Sequence, residues 1–199
     1  MRRPNLGSLG AGVCGAMMGL MGWGLLAGVP AAAAPQSPAK CLSSDGFLVI
    51  HRDSTLGPGS DILVRPVPAG AAAPECVYKK TPGDVEVSSP NEADYVVGAA
   101  GRFLVMDRGT GPSRNLVIYD MAARKPVLTQ AYDGETPVKI TAEAVTFSAI
   151  VGPATAKTCP KFQEYTKQGL TPVLTSETSV RLPSLARTKS AATRCAAQQ

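Results

Sequence analysis

The sequence predicts a mainly β protein: two related four-stranded antiparallel meanders, blade-like, packed as a sandwich or open barrel, with one short helix near residues 160–168. Three observations predict it. The stretches FLVIHRDSTLGPGSDILVRPV, from Phe47, and FLVMDRGTGPSRNLVIYDM, from Phe103, each set two Val-, Ile- and Leu-rich runs around a Gly-Pro loop. That composition favours a β-hairpin, because the runs fit a pleated half-buried surface and the loop cannot extend either of them. Matching marks continue beyond the hairpins, with Tyr78 against Tyr132, Thr81-Pro82 against Thr136-Pro137, and Val96-Val97-Gly98 against Ile150-Val151-Gly152. A fixed spacing of about 54 residues is the signature of duplicated units, here an internal repeat of 47–98 and 103–152. Helix punctuation, finally, is confined to one short segment near Cys159.

The chain opens with Arg2 and Arg3, an acid-free apolar run from Leu6 to Val29, then Pro30 and the tract Ala31 to Ala34. This pattern over 1–34 is that of a secretory signal peptide. A retained anchor, a lipoprotein attachment at Cys14 and a twin-arginine route are the competing readings. Cleavage removes Trp23, four of the six Met, and two of the 20 basic but none of the 15 acidic residues, leaving a net charge of +3. Spread along the chain, that charge argues for neither nucleic acid nor membrane lipids as partners, and no stable membrane anchor remains. The rest, 35–199, has the length of a single domain, and its location is expected to be periplasmic or secreted.

Four cysteines survive cleavage: Cys41, Cys76, Cys159 and Cys195. An even count in an exported chain points to disulfides. Zinc is the rival reading, but no two cysteines have the short spacing of a structural site and His51 is the sole histidine. Of three possible connectivities, Cys41 to Cys76 with Cys159 to Cys195 is preferred, since each bridge then ties a chain end to its own half.

Pro35 to Lys40 reads as a polar lead-in. In Asn115 to Asp120, Leu116, Ile118 and Asp120 point one way and Val117 and Tyr119 the other; both sets are largely apolar, so this strand is expected to be central and covered on both faces. A turn at Ala122-Ala123-Arg124 leads to a strand ending near Tyr132. Asp133-Gly134 turns the chain before strands at Val138 to Thr141 and Ala144 to Val151. The helix has Pro160 at its first position, Lys167 in its last turn and Gly169 just past its end, with Phe162 and Tyr165 on a shared buried face. A last strand pair, Val173-Leu174 and Ser179 to Leu182, precedes a polar tail whose ordering depends on Cys195.

The Gly-Thr-Gly-Pro-Ser-Arg loop, the following Leu-Val-Ile-Tyr-Asp, the Cys159-Pro160 helix start and the closing Arg194-Cys195-Ala-Ala-Gln198 resemble a family of small secreted or periplasmic proteobacterial proteins of unknown function. The resemblance spans roughly Phe103 to Gln198. It implies an exported chain and structural roles for Cys159 and Cys195, and no reaction.

Three constellations carry chemistry. His51, with Asp53 to orient it, is the one available general base. The loop from Gly109 to Arg114 offers backbone N–H groups, Thr110 and the guanidiniums of Arg108 and Arg114 to an anion, although turn geometry explains the same residues. Asp107 and Asp120 flank that hairpin and invite a paired-carboxylate reading; strand-ending aspartates more often bind backbone N–H groups or Arg. The expected function is that of an exported, non-catalytic binding or interaction module for another protein or an envelope component, with no cofactor and no metal. The alternatives are an envelope-acting hydrolase using His51 and Asp53, and a secreted enzyme inhibitor.

Overall fold

The computed structural model describes residues 37–87, 91–111 and 113–198. The signal-peptide reading of 1–34 lies outside the described residues. Strands β1 (Lys40–Ser44), β2 (Phe47–Asp53), β3 (Ser60–Pro66) and β4 (Val85–Glu86) make a four-stranded antiparallel sheet in chain order. The second sheet has nine strands: β5 (Asp94–Ala100), β6 (Phe103–Arg108), β7 (Ser113–Asp120), β8 (Lys125–Asp133), β9 (Lys139–Ile140), β10 (Ala144–Pro153), β11 (Thr171–Arg181), β12 (Arg187–Lys189) and β13 (Arg194–Gln198). Its order is β12-β11-β10-β8-β7-β6-β5, with β9 also on β10 and β13 also on β11. The helix α1 (Phe162–Lys167) lies between β10 and β11.

The fold is therefore mainly β with one short helix, but two matching four-stranded meanders are not what forms, and neither sheet closes into a barrel. The departure begins after β3. Between Pro66 and Val85 the chain carries Pro68, Pro74 and Pro82 with Gly70 and Gly83, and around Tyr78 the N–H groups of Val77 and Lys79 turn to Glu75 O and Val77 O, so no strand forms there. Tyr78 instead covers the outer face of the first sheet, packed on Leu48, Ile50 and Leu63. The supposed fourth strand of the first unit, β5, pairs with β6 and so belongs to the second sheet.

The β6–β7 hairpin is the centre of the molecule, covered on both faces as its sequence predicts. On one face Leu104, Met106, Val117, Tyr119 and Met121 pack against Val49, Ile62 and Val64 of the other sheet. On the other, Phe103, Val105, Leu116 and Ile118 meet Leu128, Tyr132, Val145, Phe147 and Val180, because the nine-stranded sheet curls over its own face. Each fully buried Leu, Ile or Val here contributes about 1.5 to 3 kcal/mol. Gly98 of β5 marks how tight the curl is: a Cβ there would sit 2.9 Å from Ile140 Cδ1 of β9.

Both bridges have the preferred pairing, Cys41 to Cys76 and Cys159 to Cys195. Gly169 takes φ 75° just past the helix, as its position predicts, but Phe162 and Tyr165 are only half-buried and α1 buries no side chain fully. The expected final strand pair is one continuous strand, β11, and the tail is paired to it as β12 and β13. Among the described residues no helix is long and apolar enough to cross a membrane.

The segment between β3 and β4 is clamped to the first sheet by a second device. Arg65 at the end of β3 donates to both Asp84 oxygens, at 2.9 and 2.8 Å, and to Lys79 O at 2.8 Å, while Thr81 N and Oγ1 donate to Asp84 Oδ2. The hydrogen bond from Arg65 is the main reason the Asp84 carboxyl falls to about 2. A depressed carboxyl contributes stability above its unfolded value and loses it as pH falls toward the folded one. Between pH 5 and pH 2 the protein should lose about 2 kcal/mol through this group, a component absent in Asp84→Asn. Urea denaturation of both proteins at the two pH values checks it.

Candidate functional site

The two hairpin loops, at 54–59 and 109–111, lie at the same end of the molecule, joined through Ala93. Gly109, at φ 117°, donates its N–H to Ala93 O at 2.9 Å. Gly59, at φ 105°, packs from the other side so closely that a Cβ would lie 2.9 Å from Ala93 Cα. Gly59→Ala should cost about 3 kcal/mol, combining a strained positive φ with a backbone clash. Thermal or urea unfolding reads the loss; a neutral result would mean that Gly59 does not pack against Ala93.

This end gathers three of the four residues proposed from sequence as ligand contacts, but it spends two of them internally. Arg108 donates to Asp94 through Nε at 2.7 Å and Nη2 at 3.0 Å, and its Nη1 pairs with Glu92 Oε2 at 2.7 Å. The Asp94 side chain is wholly buried. Arg114 forms a two-pronged pair with Asp107, through Nε at 2.8 Å and through Nη2 to Oδ2, and its guanidinium stacks over the Tyr95 ring at 5.4 Å. Both guanidiniums are held above their ordinary values by these carboxylates. Burial and a hydrogen bond with Asp107 push the Tyr132 phenol up. Even the following turn fits around Arg114, since a Cβ on Gly134 would fall 2.7 Å from Arg114 Cγ. Arg108 and Arg114 are thus paired strand-end charges, and Thr110 is an exposed loop residue.

Asp120 follows the same rule at the opposite end of β7. Its Oδ1 accepts the N–H groups of Ala122 and Ala123 at 3.0 Å each, and Arg102 holds Oδ2 at 3.0 Å. Asp107 and Asp120 therefore cap and brace the hairpin from its two ends, and they do not form a facing carboxylate pair.

His51 lies on β2, half-buried, opposite Lys40 of β1 and Ile62 of β3. Burial lowers its pKa, Lys40 adds to that, and the charge of Asp53 opposes both. Among the described residues no hydrogen bond joins Asp53 to His51; the Asp53 carboxylate accepts Ser37 Oγ at 2.9 Å.

One feature at the loop end escapes the sequence reading. A cleft of about 330 Å³ opens between the 54–60 loop and residues 91–93, lined by Leu56, Pro58, Asp61, Glu86 and Glu92 among others. Each carboxylate already has a cation: Asp61 has Arg52 at 3.2 Å, Glu86 has Lys80 at 3.0 Å and Glu92 has Arg108. Leu56 stands over this cleft with 89% of its surface exposed. The available signal was a leucine between Thr55 and Gly57 in a loop with no apolar neighbour to pack on; the three acids are too far apart in sequence to announce a common wall. Among the described residues no three His, Cys, Asp or Glu side chains gather as a metal site.

No family model, no curated protein and no solved structure matches the chain significantly.

Proposed function

We propose that the protein is an exported, non-catalytic binding module that takes a protein partner on its shared loop end. The observation that carries this is Leu56, a large apolar side chain held 89% exposed beside an open cleft. Loops fixed by a rigid β scaffold are suited to recognition, and an exposed apolar anchor ringed by neutralised charges has the make-up of an interface centre. Carboxylates already engaged by Arg or Lys are poorly placed for acid–base chemistry and well placed to keep loop geometry constant. Two disulfides and a leader of signal-peptide composition support an oxidising compartment, periplasmic or external.

A photo-crosslinking amino acid at position 56, compared with one at the exposed Lys125 on another part of the surface, tests the proposal in the producing cell. A discrete covalent adduct at 56 and none at 125 is the expected result. Adducts of equal yield at both positions, or none at 56, would count against it.

A further inference from the structure

The net charge of +3 looks diffuse along the chain, but the fold separates it. Residues 153–198 hold seven cations, Lys157, Lys161, Lys167, Arg181, Arg187, Lys189 and Arg194, against only Glu164 and Glu177. All seven cations are exposed, and among the described residues none forms an ion pair. Before them, residues 35–152 hold eleven cations for thirteen acids, and six of the eleven, Arg52, Arg65, Lys80, Arg102, Arg108 and Arg114, are engaged by carboxylates, so that part of the chain carries no excess of positive charge.

The register strings the free cations along one border of the large sheet. Arg187 pairs with Val180, Lys189 with Thr178 and Arg194 with Thr175, all on the outer side of β11. Between β12 and β13, Ser190 is held on β11, donating its N–H to Glu177 O and accepting Ser176 Oγ at its carbonyl. From Thr175 to Arg181 this border is about 20 Å long. The Cys159–Cys195 bridge then brings Lys157 and Lys161 beside Arg194, widening the array. Keeping a sheet edge from self-association takes only a charge or two on the edge strand itself. That explanation leaves the lysines on the bridged segment without a reason.

We propose that this border is a peripheral docking surface for an anionic phospholipid bilayer, met through headgroup phosphates. Charge complementarity argues for a phosphate surface, and the lack of large exposed apolar side chains in 153–198 argues for contact without insertion. The array has no fully exposed aromatic side chain to stack on bases, Phe162 and Tyr165 being half-buried, which disfavours single-stranded nucleic acid. The exported reading determines only which membrane is met; the lipid contact is tested apart from it and apart from the Leu56 interface.

The test uses residues 35–199, which form one compact unit holding every described element and both bridges. Sedimentation with vesicles of phosphatidylcholine containing 30% phosphatidylglycerol should carry the protein down at low salt, with release at 0.5 M salt and no binding to pure phosphatidylcholine. With each cation near a surface worth about fivefold in affinity, R181Q/R187Q/K189Q/R194Q should weaken binding more than 100-fold. The charge-matched K79Q/R124Q/K125Q/K139Q should weaken it less than tenfold. No binding to the acidic vesicles, equal loss in the two variants, or tighter binding to an oligonucleotide at equal phosphate concentration would each overturn the proposal. Because the substituted side chains are exposed, unchanged urea midpoints are expected for both variants; the triple K157Q/K161Q/K167Q repeats the test at the far end of the array if the first variant is unstable.

Discussion

Arg108→Ala is expected to lower unfolding free energy by about 3 to 5 kcal/mol, the largest effect of any single change at the loop end. The cause is Asp94. Its side chain is wholly buried, and Arg108 reaches both of its oxygens. Removing the guanidinium leaves a carboxylate with neither water nor a counter-charge. Arg114→Ala should cost less, because the Asp107 side chain is partly exposed and can be hydrated once the pair is broken. The paired change Arg108→Met with Asp94→Leu should lose less than Arg108→Ala alone, since it removes the stranded charge as well. Urea denaturation of the three variants separates these cases. A loss under about 1 kcal/mol for Arg108→Ala would mean that Asp94 reaches solvent when the pair is broken.

Loss of the C-terminal bridge is the second large effect. Cys159 and Cys195 are 36 residues apart, so replacing both by alanine should cost about 4 kcal/mol through the added freedom of the unfolded chain. The folded chain should also respond locally. β13 is half-buried and sits at a sheet border, held by its ladder to β11 and by the bridge. Hydrogen exchange at Arg194 to Gln198 should therefore speed up far more than in β6 or β7. Removing Cys41 and Cys76, a loop of nearly the same length, should cost a similar amount yet leave β13 exchange unchanged, with Arg65 and Asp84 still clamping the segment before β4. Unaltered exchange in β13 after loss of its own bridge would contradict this.

What the sequence made legible follows local chemistry. The two hairpins, the turn at Asp133, the Gly169 helix stop and the cysteine pairing rest on residues that act within a few positions or on an even count with few arrangements. The two-sided burial of β7 was readable from Leu116 to Tyr119 because both faces of one short strand are apolar. Sheet membership was not readable. Val96-Val97-Gly98 suits a strand in either sheet, and its placement beside β6 depends on Asp94 meeting Arg108 and on Gly98 admitting Ile140, contacts between distant segments. The false third strand came from matching Tyr78 with Tyr132, while the N–H groups on either side of Tyr78 are spent on local turns to Glu75 and Val77.

At the candidate site the same limit applies. Arg108 and Arg114 looked available because their acids, Asp94 and Asp107, are separated from them by a strand or a loop. The preference for Asp107 and Asp120 as partners of Arg and backbone N–H groups held, since strand-ending aspartates meet near neighbours. The free cations of the C-terminal border were hidden inside a small net charge, because a sum over the chain discards which charges are already paired.

That division of the arginines is open to direct measurement. Treating the native protein with an arginine-specific dicarbonyl reagent and mapping the modified peptides over time compares all nine guanidiniums of 35–199 in one experiment. Arg181, Arg187 and Arg194 should react at least tenfold faster than Arg108 and Arg114, whose side chains are only 21% exposed and engaged by carboxylates. Equal rates across the two groups, or faster modification of Arg108 and Arg114, would contradict it.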